Sequence, residues 1–336
     1  MIDLNAPLCK LLGIRLPILQ APTGSIAGAA LASAVSEAGG LGSMGATWLD
    51  EAALLAQIET VKANTPLPFM VNYALAFPPK TLSAALQSGV PVITFSWGDP
   101  TPYLPHVRAF GAKVGVQVTN AQGARRMIEA GADFLICQGV EAGGHVQSTT
   151  PLWELLPQIV VAAGATPVVA AGGLARGADM AKAFALGAQG AVFGTRFVAS
   201  RESLAHEIYK RELVAAKASD TALTVCFNRG WEYAAHRVVR NSVFQEWEGA
   251  GSPAVGQRPG EGDTVGYSAS GEAIFRYEDV APRIGMTGSI EAMCLYAGAS
   301  CEGIDDIPSA QEIVARLAEE FAETRAAPEK PFRMFF

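Results

Sequence analysis

The stretch "PVVAAGGLARGADMAKAFALGAQGAVFGT", residues 167–195, decides the fold of this chain. It opens with a short apolar run, passes through Gly172 and Gly173, continues as a helix that stops at Gly187, and ends in a second apolar run. A glycine at a helix stop takes the left-handed conformation that closes the helix. Short apolar strands without alternation are typical of sheets buried on both faces. The stretch therefore predicts a β-α-β unit of a parallel sheet.

The same unit recurs earlier in the chain, at 33–46, 83–98 and 126–139, each time as an apolar helix end, a glycine and a short apolar strand. Eight strands separated by helices over about 200 residues predict an α/β fold of the (β/α)8 TIM-barrel type. A doubly wound open sheet is the alternative. The strands are predicted near 17–20, 41–46, 68–72, 91–95, 113–118, 134–138, 167–171 and 191–194. The helices are predicted near 28–38, 50–63, 79–88, 102–110, 120–130, 152–163 and 176–186.

The strand–helix rhythm stops after Val198. Residues 200–285 are more polar and rich in glycine and serine, which predicts a lid or substrate domain inserted after strand eight. The barrel domain is then expected to comprise 1–199 and 286–336. Its last part is predicted to be helical and to return to the barrel, at 289–300 and 309–325.

Composition excludes several classes of protein. Half of the chain is hydrophobic, and the formal net charge of −7 argues against a nucleic-acid partner. The five cysteines show no metal-binding spacing, which favours a reducing, cytoplasmic setting and predicts no metal site. The N-terminal residues lack the pattern of a signal peptide. The uncharged run 155–175 contains Pro157 and Pro167 and is expected to split into helix, turn and strand, so no membrane span is predicted.

Glycine-rich loops follow the last two predicted strands. Gly172 and Gly173 follow strand seven, while Gly194 and Thr195 follow strand eight. In barrels of this type the loops after these two strands often build a phosphate site, because glycines let backbone N–H groups approach phosphate oxygens. Either loop alone is equally explained as a tight turn. Their occurrence at both positions favours phosphate.

Amide side chains end several other strands. Asn72, Gln117 and Gln138 lie at the ends of strands three, five and six, and His145 follows Gly143 and Gly144 just beyond strand six. Each amide alone is explained as a structural hydrogen-bonding group. Because the carboxyl ends of barrel strands converge on one mouth, the set together suits a flat heteroaromatic ring with carbonyl and N–H edges. With the phosphate loops, this pattern predicts a site for flavin mononucleotide (FMN).

Five segments together resemble the nitronate monooxygenase family, formerly called 2-nitropropane dioxygenases. The resemblance covers residues 5–200 well and 285–317 fairly, and only loosely the stretch between them. The segments are "LPILQAPTGSIAG", "FMVNYAL", "ICQGVEAGGHV", "PVVAAGGLARGADMAKAFALGAQGAVFGTRFVAS" and "YAGASCEGIDDIP".

The resemblance implies a TIM barrel that binds FMN and oxidises alkyl nitronates, or nitroalkanes, with O2 to carbonyl compounds and nitrite. His145 would be the catalytic base, since histidine titrates near neutral pH, and Gly143 and Gly144 would leave room for the flavin beside it. The cofactor contacts implied are Ala21, Pro22 and Thr23 along the isoalloxazine, Asn72, Gln117 and Gln138 at its edge, and Gly172, Gly173, Gly194 and Thr195 at the phosphate. The substrate contacts suggested by position are Tyr73, Ser300 and Cys301.

Three positions depart from the family pattern and affect the substrate more than the cofactor. Thr23 stands where methionine is common, Gln117 where relatives often have lysine, and Ala299 where relatives have glutamine. Two other functions stay open: an NAD(P)H-dependent flavin reductase of quinones or enoyl thioesters, and a phosphate-binding barrel without flavin. The expected partners are a small-molecule substrate and O2, with neither nucleic acid nor membrane, and a homodimer is left open.

Overall fold

Eight parallel strands form a barrel in the computed structural model, which describes residues 6–326. Their order around the sheet is β1-β9-β8-β6-β5-β4-β3-β2, and a parallel bridge between Leu19 and Leu41 brings the first and last strands together. There the N–H of Leu41 donates to the carbonyl oxygen of Ile18 at 2.9 Å. The predicted barrel is thus confirmed, and the doubly wound open sheet is excluded. The strands are β1 (Ile18–Gln20), β2 (Gly42–Gly45), β3 (Phe69–Ala74), β4 (Val92–Ser96), β5 (Lys113–Val118), β6 (Phe134–Gln138), β7 (Gly144–His145), β8 (Val168–Ala171) and β9 (Gly190–Phe193), with β7 outside the barrel.

Helices follow the barrel strands and cover the outside of the barrel. Each predicted strand and helix of the barrel has an observed counterpart whose ends lie within about three residues. The uncharged run 155–175 is helix, turn and strand, as predicted. The helices up to the end of the barrel are α1 (Pro7–Leu12), α2 (Ala29–Glu37), α3 (Glu51–Asn64), α4 (Leu82–Gln87), α5 (Leu104–Ala109), α6 (Ala121–Ala130), α7 (Leu152–Ala163), α8 (Gly177–Ala185) and α9 (Thr195–Val198).

Two apolar cores stabilise the barrel. One lies between the strands and the helices, and the other fills the barrel interior, where Leu8 and Leu12 of α1 pack with Leu19 and Phe134. The interior is tight: a Cβ placed on Gly115 would lie 2.2 Å from the ring of Phe134. The lower barrel is therefore solid, and only the end where the strands finish is available for a site.

Residues after α9 form a second layer over that end of the barrel. Strand β11 pairs antiparallel with both β10 and β7, so that His236 lies opposite His145. Tyr209 and Leu213 pack in one cluster with Ile26 of a barrel loop. The elements of this layer are α10 (Glu207–Ala215), β10 (Thr221–Thr224), β11 (His236–Val239), α11 (Ser242–Gly249), β12 (Thr264–Tyr267), β13 (Ala273–Phe275) and β14 (Thr287–Gly288). The division into a barrel of 1–199 plus 286–336 and a domain of 200–285 stays a prediction, and its parts at 1–5 and 327–336 lie outside the described residues.

The predicted helix at 289–300 is wrong, whereas the helix predicted at 309–325 is confirmed as α12 (Ala310–Ala326). The first segment has a 3-10 turn at Ile290–Ala292, is then extended, with Tyr296 bridging to Val238, and enters a second 3-10 turn at Ala299–Gly303. The apolar residues of this segment are covered from both sides by the second layer and the barrel loops. An extended segment that is buried on both faces shows no alternation of polar and apolar residues, so the sequence does not indicate a strand.

Within residues 6–326, no helix is long and apolar enough to cross a membrane.

Candidate active site

Two glycines after β8 have backbone conformations that favour glycine. Gly172 and Gly173 have φ of +103° and +74°. A Cβ on Gly172 would come within 3.0 Å of the carbonyl oxygen of Gly139, and a Cβ on Gly173 within 3.0 Å of Cβ of Glu141. The loop therefore presents backbone without side chains at the end of the barrel, as a phosphate-binding turn requires.

The loops after β9 and β1 face each other beside this turn. Gly194 precedes α9, and a Cβ on it would lie 3.5 Å from Cβ of Ala21 and 4.0 Å from Cγ2 of Thr23. The N–H of Ala21 donates to the carbonyl oxygen of Phe193 at 2.9 Å, which ties the two loops together. The hydroxyls of Thr23 and Ser43 are buried without a hydrogen-bond partner among the described residues. Buried polar groups are normally paired, so these hydroxyls indicate a place where a polar ligand fits.

Three amides extend towards the barrel mouth as predicted. Asn72, Gln117 and Gln138 alternate with residues that pack against the outer helices, so their side chains face the barrel interior. The side-chain nitrogen of Asn72 donates to Oγ1 of Thr94 at 3.1 Å, and that of Gln117 donates to Oε1 of Gln138 at 3.1 Å. Thr94 therefore fixes the amide of Asn72, and Gln117 and Gln138 fix each other at the mouth.

Gln147 completes this amide network and was missed by sequence reasoning. Its Oε1 accepts from Nε2 of Gln117 at 2.8 Å and from the N–H of Trp97 at 3.0 Å. Its own N–H donates to Oε1 of Gln138 at 3.2 Å. Gln147 lies two residues after His145, and on an extended segment that spacing places both side chains on the same face. This spacing is the feature of the sequence that could have identified Gln147 as a site residue.

The two glycines before His145 serve different purposes. A Cβ on Gly143 would lie 2.4 Å from the backbone nitrogen of Gly298, so the missing side chain admits the backbone of the 297–298 turn. This corrects the expectation that Gly143 makes room for a flavin. Gly144 has φ of +71° and open space where a Cβ would be, so only Gly144 can border a ligand in the way expected.

His145 faces a buried carboxylate that comes from the second layer. Its Nε2 lies 3.3 Å from Oδ2 of Asp279, and the two side chains are 13% and 12% exposed. The approach is within ion-pair distance but is not aligned as a hydrogen bond. Burial raises the pKa of Asp279, while His145 acts in the opposite direction. The pair resembles the base-and-carboxylate arrangement that orients a catalytic imidazole.

Aromatic rings and a second histidine enclose His145. The ring of Trp231 lies 4.2 Å away between centroids, and the rings of His236 and Tyr296 lie at 5.5 Å. Burial lowers the pKa of His236 to about 4. Both nitrogens of His236 are engaged, with Nε2 accepting the N–H of Phe227 at 3.2 Å and Nδ1 lying 2.9 Å from the carbonyl oxygen of Ala234. His236 is therefore a neutral structural group, and His145 is the histidine that faces the mouth.

The predicted substrate contact Tyr73 lies elsewhere. Its side chain is fully buried between the barrel and the helices, and its hydroxyl lies 3.2 Å from Oγ1 of Thr81. Burial raises its pKa to about 12. Asn72 faces inward, so the next residue along the strand must face outward. Tyr73 is a core residue, and this correction follows from the pleat of β3.

The turn that carries Ser300 and Cys301 packs against the barrel mouth. The N–H of Gly298 donates to Oγ1 of Thr195, and the N–H of Ala299 donates to the carbonyl oxygen of Glu141, both at 3.0 Å. Cys301 is 1% exposed, and burial raises its pKa to about 11, so it is no ready nucleophile. Contact of Ser300 or Cys301 with substrate stays a prediction.

The residues beside His145 that sequence reasoning did not find are Asp279, Trp231 and Tyr296. All three come from parts of the chain that lack the β-α rhythm, and only pairing of β11 with β7 brings this layer to the mouth. Within residues 6–326, no group of three or more His, Cys, Asp or Glu side chains is placed to hold a metal.

The fold and this mouth define an oxidoreductase built on a TIM barrel. A family model described as nitronate monooxygenase matches residues 5–84 and 75–320, so the chain belongs to the nitronate monooxygenase family.

Similarity extends to relatives with different names. The chain is 34% identical over 257 residues to the (3aS,4S,5R,7aS)-5-hydroxy-7a-methyl-1-oxo-octahydro-1H-indene-4-carboxyl-CoA dehydrogenase of Mycobacterium tuberculosis, covering 75% of this chain and 71% of the relative. Among solved structures, FabK of Thermotoga maritima has a TM-score of 0.80 at 32% identity, covering 96% of this chain and 97% of FabK. The nitroalkane oxidase of Streptomyces ansochromogenes has a TM-score of 0.77 at 29% identity, covering 95% and 98%.

Proposed function

We propose that this protein is an FMN-dependent enzyme that oxidises alkyl nitronates, and nitroalkanes, with O2 to a carbonyl compound and nitrite. The observation that carries the proposal is the pair of His145 and Asp279, 3.3 Å apart, at a barrel mouth lined by amides. Membership of the nitronate monooxygenase family and similarity to a solved nitroalkane oxidase support the reaction class.

The residues present fit FMN. The bare backbone at Gly172, Gly173 and Gly194, together with Thr195, would hold the phosphate beside the start of α9. Ala21, Pro22 and Thr23 would lie along the ring, where the buried hydroxyl of Thr23 lacks a partner among the described residues. The polar edge of the ring would meet the amides of Asn72, Gln117 and Gln138. When bound, FMN would supply the electron-accepting chemistry that no side chain provides.

His145 would take the proton from the carbon that bears the nitro group of a neutral nitroalkane. That C–H bond breaks, its electron pair stays on the substrate as the nitronate, and the imidazole becomes imidazolium. Asp279 would stabilise the imidazolium and fix the ring, since an opposite charge within about 4–6 Å favours the charged form. With a nitronate as substrate the proton is already absent, and His145 would bind the anion.

A second candidate function is an NAD(P)H-dependent flavin reductase or dehydrogenase acting on thioesters. The relative that is named as a dehydrogenase of a coenzyme A thioester, at 34% identity, favours it. The departures at Thr23, Gln117 and Ala299 lie at the mouth, where the substrate class is decided. A phosphate-binding barrel without flavin is the third candidate function, and it predicts a colourless protein.

One anaerobic experiment separates these functions. The purified protein is mixed, without oxygen, with ethyl nitronate, NADH or NADPH in parallel, and its visible flavin absorbance is followed. We expect flavin to be present and to bleach with the nitronate, with nitrite formed when air is admitted. Bleaching by a pyridine nucleotide and not by the nitronate would establish the reductase instead, and absence of flavin would establish the third candidate function.

We also propose that the enzyme works in the cytoplasm. Four buried thiols, Cys137, Cys226, Cys294 and Cys301, support a reducing setting. The test is the location of a tagged chain in fractionated cells.

A further inference from the structure

Four aromatic side chains run from His145 towards solvent, and we call Trp48, Phe77, Trp97 and Trp231 the aromatic wall. The ring of Trp231, which lies 4.2 Å from His145, contacts Trp97 at 4.8 Å and Phe77 at 5.1 Å between centroids. Trp48 contacts Phe77 at 5.6 Å and Trp231 at 6.2 Å. The wall is therefore continuous from the proposed base to the surface.

The members of the aromatic wall converge from separate parts of the fold. Trp48, Phe77 and Trp97 follow β2, β3 and β4, and Trp231 comes from the loop between β10 and β11. Residues gathered from four loops at the functional end of a barrel are typical of a substrate pocket, because loops there carry specificity.

Trp97 is held in a backbone conformation that bulky residues rarely adopt. Its φ is +60°, in the left-handed region, and its N–H donates to Oε1 of Gln147 at 3.0 Å. Such outliers persist only where the surroundings fix them, and they cluster at functional sites. The amide network at the barrel mouth thus also sets the position of one member of the wall.

The wall is not a buried core. Trp48 is 60% exposed, and the other three rings are half-buried. The contacts within the wall are edge-to-face, with interplanar angles of 61° to 71°. In that arrangement each ring keeps part of a face uncovered, which a flat apolar group can stack upon.

We propose that the aromatic wall binds a planar, apolar ring carried by the substrate, so that the preferred substrates are aryl-substituted or polycyclic and not short alkyl compounds. The reacting carbon would lie at His145 and the ring would stack on the uncovered faces of Trp231 and Trp48. The proposal rests on the proposed function only for this placement of the reacting end.

The test compares two carboxylates of equal charge and equal carbon number, 2-naphthoate and undecanoate. A carboxylate replaces the nitronate group, since both are planar anions with two oxygens. Binding to the protein as purified is measured by calorimetry and by quenching of tryptophan fluorescence. We expect the flat ligand to bind about tenfold more tightly, because stacking adds to the area buried.

Substitutions in the aromatic wall test whether the wall causes the preference for 2-naphthoate. Trp48→Ala and Trp231→Ala are each expected to reduce the tenfold preference to about twofold or less. Trp48 is exposed, so its removal leaves folding intact. Tyr233→Ala is the matched control, because Tyr233 lies in the same loop as Trp231, is 89% exposed and is not part of the wall. The control is expected to keep the full preference.

Three results would overturn the proposal. They are equal affinity of the two carboxylates for the unmodified protein, a preference that survives both tryptophan variants, and a Trp48→Ala variant that changes only the oligomeric state. The last result would make the wall an interface between copies of the chain.

The binding assay does not depend on turnover. A preference for naphthoate in a protein that oxidises no nitronate would reject the proposed function and keep the aromatic wall. If turnover is found, Trp48→Ala, whose ring does not contact His145, is expected to raise KM for phenylnitromethane about tenfold while KM for nitroethane stays unchanged.

Discussion

The barrel mouth has two sides that are built in different ways. On the side of β8 and β9 the functional groups are backbone, exposed by Gly172, Gly173 and Gly194 within regular β-α units. On the neighbouring side, beyond β6, they are side chains, chiefly His145 and Asp279, which are brought together by pairing of β7 with β11. The first side is local in sequence, and the second joins residues more than a hundred positions apart.

Under the proposed function, this difference would separate cofactor binding from chemistry. A backbone site tolerates exchange of neighbouring side chains as long as the turn stays open, so it suits a group common to many relatives, such as a cofactor phosphate. A side-chain site changes with each substitution, so it suits the reaction and the substrate. Proteins with different names, FabK and nitroalkane oxidase, share this fold.

Placing a negative charge at Gly194, on the side of the mouth built from backbone, is expected to have the largest effect, which is loss of the cofactor. In Gly194→Asp the new carboxylate would face the phosphate, and like charges held close together and partly desolvated repel by several kcal/mol. The position has φ of −101° and its nearest side-chain neighbour is 3.5 Å from the added Cβ, so the substitution itself fits. We expect FMN to be lost on dialysis, measured as flavin released per chain.

Gly194→Asn is the control for this prediction, because it has the same shape without the charge. It is expected to retain FMN. Full occupancy in Gly194→Asp would mean that the phosphate lies elsewhere and that the two sides of the mouth do not divide their tasks as proposed.

Removing the base is expected to have the next largest effect and to leave the backbone side intact. In His145→Asn, FMN stays bound, and oxidation of neutral nitroalkanes falls by about 10²–10⁴, the usual contribution of general base catalysis. Oxidation of preformed nitronates falls far less, because their proton is already gone. Oxygen uptake with both substrate forms at one pH measures the difference.

His106→Asn serves as a control, since His106 lies exposed on α5 at the barrel exterior. An equal loss on both substrate forms would show that His145 binds the anion and abstracts no proton. If neither form loses rate, His145 is structural and the reductase becomes the better account.

Acid is expected to lower the stability of the protein through His236, which lies in the second layer beside His145. Burial lowers its folded pKa to about 4 from the usual 6.5, so its contribution to stability is complete above pH 6.5 and is lost as the pH falls towards 4. In His236→Gln this dependence disappears. From pH 7 to pH 4.5, the free energy of unfolding measured with urea should fall by about 2–3 kcal/mol more in the unmodified protein than in the variant. Equal losses in both proteins would mean that His236 is not buried in its neutral form.

Neutralising the carboxylate of Asp279 is expected to have the smallest effect on the reaction rate. The rate is expected to fall, whereas the stability of the folded protein near pH 7 is expected to rise. Asp279→Asn should slow nitroalkane oxidation about tenfold, because an opposite charge near an imidazole stabilises its charged form. It should also move the pH–rate profile, because the base loses its anionic neighbour. An unchanged profile would make Asp279 a structural residue.

The stability of Asp279→Asn provides an independent check. Burial raises the folded pKa of Asp279, so the stability that it contributes is present below the unfolded pKa and is lost as the pH rises through the folded value. The variant lacks this loss. We expect it to be more stable than the unmodified protein near pH 7, with the difference shrinking towards pH 4, as seen by thermal unfolding. A variant that is less stable at pH 7 would contradict this sign.

Prediction from the sequence worked best where structure is local. The glycine stop at Gly131 is a left-handed helix end with φ of +101°, and the strand that follows begins three residues later at Phe134. Helix stops of this kind need only the conformational freedom of glycine and a short apolar run, both visible in sequence. Asn72, Gln117 and Gln138 lie at the mouth because strand ends in a barrel converge, and their contact with a cofactor stays a prediction.

The same rules failed where burial comes from distant parts of the chain. Tyr73 was expected at the mouth, but the pleat of β3 turns it towards the helices once Asn72 faces inward. Residues 289–300 were expected to form one helix, but the segment between two short 3-10 turns is extended because the second layer covers it.

The sequence by itself determined the barrel, its strand and helix limits and the open backbone at Gly173 and Gly194, because each depends on periodicity and on glycine within one β-α unit. Only the tertiary structure decided what faces His145. The approach of Asp279 and Trp231 depends on a two-residue strand, β7, pairing with β11 about ninety residues later. Such a pairing is stabilised by the burial of the whole second layer, which no local pattern records.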